Sequence, residues 1–251
     1  MRTVDVVGVN VADVPTESVV RAAARPAEKA PRLVYALHVG GLESLSNPDY
    51  RAALDNADLV YADGAAIVAL ARAGGAVAIT RSATTDIGVP VLQALADSLG
   101  RPVRVALVGG PEGLAKRAGE ALTKMVGCTV VLCRTGYFAD SRRVLSDIRW
   151  SRPDAVIVGL GMPKEAIWTH RHRESLPPAV ILTCGGWFGF LTGDEPRAPE
   201  AMQRLGLEWV YRLKNDFSRL RRRYAVGALL TLRNIPRQVR SRRQAESPDA
   251  P

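Results

Sequence analysis

The sequence predicts an α/β protein: a Rossmann-like, mostly parallel sheet covered by helices on both faces, with a basic helical appendage at its C-terminal end. Three observations predict it. Short β-branched runs alternate with helical patterns, the signature of βαβ units. The strand runs are apolar at successive positions, as in a sheet covered on both sides. After Gly193 the alternation stops and arginine dominates.

The elements follow in order. Val4 to Val9 reads as the first strand and Thr16 to Lys29 as a helix. Arg32–Leu37 and Asp58–Tyr61 are the next strands, the latter followed by a helix over 64–73. Asp86–Leu99 is helical. Val103–Val108 is an apolar run broken only by Arg104, and a helix over 112–125 follows its glycine turn. Thr129–Leu132, Ala155–Val158 and Ala179–Thr183 complete the strands, with helices over 140–150 and 163–175 between them. Pro199–Ala228 reads as one or two arginine-rich helices, and Thr231–Arg243 is strongly basic. Glu246–Pro251 reads as a disordered tail. The division is an α/β domain over 1–196, the appendage over 197–243 and the tail over 244–251.

The 251 residues, 47% hydrophobic, suffice for one sizeable core. No run of uncharged apolar residues is long enough to span a bilayer. Asp5 interrupts any signal-peptide core, so no secretory signal is expected. Cys128, Cys133 and Cys184 form neither a Cys-x-x-Cys pair nor an even framework, which fits a reducing cytoplasm and argues against structural zinc. Residues 197–243 carry thirteen Arg or Lys against three acids, a net +10, so the rest of the chain holds −1 of the formal +9. Such asymmetry suits an anionic partner, or simply a solvated arginine-rich helix.

Ligands of parallel sheets bind beyond the carboxyl ends of the strands. Three glycine turns fall there: Gly109-Gly110-Pro111, Gly159-Leu160-Gly161-Met162-Pro163-Lys164 and Gly185-Gly186-Trp187. Glycine admits close approach of a ligand, and a following helix offers N–H groups to phosphate. Pro163 suits a first helical position, and Lys164 adds charge there. Each turn also reads as an ordinary strand-to-helix connection. Asp63, between a strand and Gly64, can act as a general base or as a helix N-cap; local pattern alone favours the cap. Arg81 lies in a loop before a helix that Thr85 or Asp86 can cap, and is either a phosphate ligand or a surface arginine. His38, His170 and His172 have no metal-ligand spacing, and there is no Asp-x-Asp motif.

Together these segments resemble the WecG/TagA/CpsF family, glycosyltransferase family 26, over roughly residues 1–225. The resemblance is carried by Ala57–Gly64, by Arg81–Asp86, by Gly159–Lys164 with Trp168, and by Gly136-Tyr137-Phe138. It is completed by Gly185-Gly186-Trp187-Phe188, Gly193, Arg197-Ala198-Pro199 and the block Gly206–Leu213. It implies an inverting, metal-independent transferase without a cofactor. The implied donor is a UDP-linked sugar, and the acceptor a polyprenyl-diphosphate-linked sugar at the inner face of the plasma membrane. The products would serve teichoic acid, enterobacterial antigen or exopolysaccharide synthesis. Asp63 is then the base, and Arg81 supports phosphate. His38, Gly64, Asp86, Gly109, Gly110, Tyr137, Gly161, Pro163, Lys164, Glu165, Gly185 and Gly186 surround the substrates. Arg212, Arg219 and Arg222 come from the appendage, which also attaches the protein peripherally to anionic lipid.

Four positions depart from the family's pattern. Ala36-Leu37-His38 stands for Thr-x-Asn, Glu165 for Gln, Gly189 for Asp, and Asp216-Phe217 for Glu-Pro. They bear on the identity of the donor. The expected mechanism is direct displacement, with the leaving diphosphate met by N–H groups of the glycine turns and by Arg81, Lys164 and appendage arginines. A non-catalytic nucleotide-sugar binder or regulator is the alternative. Nucleic acid is not expected as a partner, because aromatic residues are not interleaved with the arginines beyond Arg219, apart from Tyr224. An oxidoreductase would need a dinucleotide fingerprint that the chain lacks. A homo-oligomer stays open.

Overall fold

The computed structural model describes residues 1–199, 202, 210, 211, 213 and 217–245. Six strands form a parallel sheet in the order β4-β3-β8-β7-β5-β6: β3 (Arg32–His38), β4 (Leu59–Asp63), β5 (Arg104–Gly109), β6 (Thr129–Arg134), β7 (Ala155–Gly159) and β8 (Val180–Thr183). The remaining two, β1 (Thr3–Val6) and β2 (Val9–Ala12), are an antiparallel hairpin beside β4. Here the sequence expectation of a single strand over 4–9 is corrected. Val7 and Gly8 both have positive φ, 55° and 79°, and turn the chain back with Val6 opposite Val9. That is the primed-turn geometry of a two-residue hairpin, unannounced by the usual Asn-Gly.

Alternate residues of the sheet feed two separate cores. Leu33, Tyr35, Leu37, Ala106, Val108, Val156, Val158 and Ile181 pack on one face. Val34, Ala36, Val105, Leu107, Ala155, Ile157, Val180 and Leu182 pack on the other. Side chains alternate across a strand, so continuous apolar runs require two covered faces.

Helices α1 (Thr16–Ala23), α2 (Val39–Ser44), α3 (Pro48–Asp55), α4 (Ala65–Ala73), α5 (Thr84–Leu99), α6 (Leu114–Val126), α7 (Ser141–Ser151), α8 (Lys164–Arg171) and α9 (Trp187–Thr192) connect the strands. The first helix is six residues shorter than its sequence pattern, ending before Arg25-Pro26, where proline disfavours helix. The short α2, α3 and α9 were not expected. Asn47 caps α3, its side chain accepting from Asp49 and Tyr50, ahead of Pro48 at the first helical position.

The basic segment forms α10 (Phe217–Ala245), one continuous helix packed along α2 and α4. Of the one or two helices expected over 199–228, residues 217–228 lie in α10, while 200–201, 203–209, 212 and 214–216 fall outside the described residues, as do residues 246–251 of the expected disordered tail. Gly227, Thr231, Asn234 and Gln238 form the buried stripe of α10. A Cβ at Gly227 would stand 2.3 Å from Val39, so glycine sets how closely the helix approaches. Gln238 donates to the Asp5 carbonyl at 2.8 Å, tying α10 to the hairpin.

Candidate active site

The carboxyl ends of the strands open into a cleft of about 820 Å³. Its walls bring together ten residues that the sequence had singled out: His38, Asp63, Arg81, Gly110, Tyr137, Gly161, Lys164, Glu165, Gly185 and Gly186. They come from β3, β4, the start of α8 and five connecting segments that are far apart in the chain. Gly64, Asp86, Gly109 and Pro163 adjoin these residues without lining the cleft. Arg222 lies on α10, 3.2 Å from Glu43, and does not line it. Arg212 and the side chain of Arg219 lie outside the described residues.

Asp63 ends β4, side by side with His38 at the end of β3. The position that caps α4 is Gly64, at φ 107°, a region open to glycine. The cap reading of Asp63 is thereby set aside. His38 itself caps α2: its Nδ1 accepts from the Gly40 amide at 3.0 Å, which puts the imidazole proton on Nε2. Behind Asp63, Tyr61 is fully buried with its hydroxyl 2.7 Å from Thr84. Burial, together with the nearby Asp63 charge, drives the Tyr61 phenol pKa well up, so it stays a neutral hydrogen-bonding group.

Arg81 pairs with Asp86 at 2.6 Å, and the other oxygen of Asp86 pairs with Arg197. Asp86 is therefore a bridge between two guanidiniums rather than the expected helix cap; α5 begins at Thr84 with Ala83 in the cap position. Arg197 is thereby tied through Asp86 to Arg81, although it does not itself line the cleft.

Glu165 is 3% exposed, and one of its oxygens, Oε2, accepts from both Gly161 N (3.0 Å) and Gly185 N (3.2 Å). Gly110 N donates to the Gly159 carbonyl at 3.2 Å. Three of the turn amides expected to face phosphate are thus spent inside the protein. The glycines serve close packing instead: a Cβ at Gly109 would meet the Gly159 carbonyl oxygen at 2.4 Å. Lys164 opens α8 at the rim.

One wall is aromatic. Phe138 and Trp168 meet edge to face at 5.6 Å, and the Trp168 indole donates to Ser141 at 2.9 Å. Tyr137 beside them is 82% exposed. Asp194 and Glu195 also line the cleft, in a short loop after α9 at positions that no motif singled out. Asp194 pairs with Arg117. Cys184, in the floor, has its thiol pKa driven well up by burial and by the nearby Glu165. Among the described residues no three His, Cys, Asp or Glu side chains gather as metal ligands.

A cleft at the carboxyl edge of a parallel sheet, here holding a carboxylate, an arginine and an aromatic wall, is where proteins of this architecture bind their ligands. The family model for the glycosyl transferase WecG/TagA/CpsF family matches residues 4–245. The chain is also similar to a curated N-acetylglucosaminyldiphosphoundecaprenol N-acetyl-beta-D-mannosaminyltransferase from Bacillus spizizenii. The two are 32% identical over 192 residues, which is 76% of this chain and 74% of the relative. The chain belongs to the WecG/TagA/CpsF family and is a glycosyltransferase.

Proposed function

We propose that the protein is an inverting, metal-independent transferase of cell-envelope polysaccharide synthesis. It moves a hexose or N-acetylhexosamine from a UDP-sugar to a polyprenyl-diphosphate-linked acceptor, with Asp63 as base. The observation that carries this reading is the convergence of Asp63 and Arg81 in one cleft at the sheet's carboxyl edge. The acceptor hydroxyl attacks the anomeric carbon, and Asp63 takes its proton as the bond to the leaving UDP oxygen breaks. Charge accumulating on the diphosphate is met by Arg81 and Lys164, with Arg197 tied to Arg81 through Asp86. The exposed ring of Tyr137 offers a stacking face to a base or sugar. The relative's name specifies an N-acetylmannosamine donor sugar and an acceptor bearing N-acetylglucosamine diphosphate on undecaprenol, and these are the first substrates to assay. Transfer from UDP-N-acetylmannosamine to that acceptor, undiminished by EDTA, is the expected result; transfer that requires a divalent ion would overturn the metal-independent mechanism.

Membrane attachment belongs to the same proposal. Among the described residues no helix is long and apolar enough to cross a bilayer. The inner face of α10 packs Leu230 and Ile235 against the core beside Gly227, Thr231, Asn234 and Gln238, whereas Leu229 and Leu232 are 66% and 68% exposed. Arg221, Arg222, Arg233, Arg237, Arg240 and Arg243 are exposed around them. Outward leucines among arginines suit an anionic lipid surface. Each basic residue near such a surface contributes about 1 kcal/mol, so exchanging Arg233 and Arg240 for glutamine should weaken binding to phosphatidylglycerol vesicles roughly 30-fold. Sedimentation of the two forms with those vesicles checks it.

A further inference from the structure

We propose that the N-terminal hairpin and the start of α1 form a clamp that sets the position of Arg81, with Asp13 and Thr16 as its positioning residues. The inference rests on the reading of Arg81 as a diphosphate ligand. Arg81 lies in the stretch 74–83 between α4 and α5, which has no helix or strand of its own. It is the one charged residue of that stretch, and it lines the cleft.

Two side chains close in sequence hold the stretch. The Asp13 carboxylate is fully buried. Its Oδ1 accepts from Val77 N at 3.1 Å, Ala78 N at 2.8 Å and Ile79 N at 2.9 Å. Its Oδ2 takes the Arg2 guanidinium at 2.9 Å. Three residues further, Thr16 Oγ1 stands 2.8 Å from Thr80 Oγ1, 3.1 Å from Ser82 Oγ and 3.3 Å from the Arg81 carbonyl, to which it donates. Ser82 is itself fully buried, and its amide donates at 2.9 Å to the carbonyl of Ala62, the residue before Asp63. Residues 77–82 are thereby pinned from the hairpin side and registered against the strand that carries the base.

Such a device is costly unless it serves something. A buried carboxylate is tolerated only when its charge is fully met, and here three amides and Arg2 meet it. What it secures is a backbone from which one guanidinium must reach a fixed point. Displacement of a ligand group by about 1 Å can cost two orders of magnitude in rate. The hairpin stands outside the main sheet. Fixing the Arg81 segment gives it a part in the reaction that its distance from the cleft floor conceals.

The test is a thermodynamic cycle on the full chain, read by calorimetric titration of UDP and by the thermal unfolding midpoint. Thr16→Val removes the hydroxyl and keeps the shape; Thr16→Ser restores it. Arg81→Ala is expected to weaken UDP about 10-fold or more, the range for a lost charge-assisted hydrogen bond. Thr16→Val should weaken UDP about 5-fold when Arg81 is present and less than about 2-fold when it is absent, and Thr16→Ser should stay near the unaltered protein. The unfolding midpoint should fall equally in both backgrounds. A purely structural Thr16 would give the same fold-loss in both backgrounds or none in either, and that result overturns the clamp alone. Absence of UDP binding by the unaltered protein, or unchanged binding by Arg81→Ala, overturns the donor reading and the clamp with it.

Discussion

Asp63→Asn is expected to lower turnover by about 10²–10⁴-fold while leaving UDP affinity within about 2-fold of the unaltered protein. The two side chains are nearly isosteric, but an amide cannot take up the acceptor's proton. The helix-cap alternative makes the opposite forecast, because asparagine caps as well as aspartate and turnover would persist. Gly64 already occupies the cap position of α4, so loss of a helix cap should not confuse the result. Asp63 is carried on the last residue of a strand whose four preceding residues are buried, so its backbone is fixed from below. The Tyr61 phenol, held neutral by burial and by the Asp63 charge, does not compete as a base. Single-turnover transfer and UDP titration, run on the same preparation, separate the chemical step from binding. Near-normal turnover would sink the assignment.

The sheet was legible because burial on both faces leaves apolar runs that no helix pattern imitates: Val103–Val108 and Ala155–Val158 appear within a residue or two of where β5 and β7 lie. The hairpin was not, because its turn is Val7-Gly8. Its register is secured from afar, by Arg51 donating to the Val7 carbonyl at 3.1 Å. The helix α2 was hidden by its own Gly40-Gly41, which breaks a helical pattern locally; Gly41 leaves room for Tyr50 and Met162, where a Cβ would stand 2.7 and 2.8 Å from them. Asp194 and Glu195 carry no motif, but Asp63, Arg81 and the glycine turns of the cleft were legible as motifs. Those that hold the motifs in place were not. Asp13 acts on amides more than sixty residues away, and Glu165 joins turns separated by β8. No local window contains both halves of such a contact.

Glu165 yields the second large effect, on the fold of the site. Glu165, which stands where the family's pattern has glutamine, has its Oε2 occupied by two turn amides. Glu165→Ala strands the N–H groups of Gly161 and Gly185, each at about 1–3 kcal/mol if water does not replace the carboxylate. A total of about 2–6 kcal/mol corresponds to a melting temperature lower by roughly 5–20 °C for a chain of this size. Glu165→Gln should behave quite differently. Because a single oxygen receives both amides, a glutamine carbonyl can receive them in the same geometry. Its melting temperature should therefore stay within about 3 °C of the unaltered protein. The missing negative charge would also ease the approach of a diphosphate to Arg81 and Lys164, so UDP should bind at least as tightly as before. Thermal unfolding and UDP titration of the two variants decide the matter. If the glutamine form melted as early as the alanine form, the negative charge at Glu165, rather than its bridging oxygen, would be what holds the two turns together.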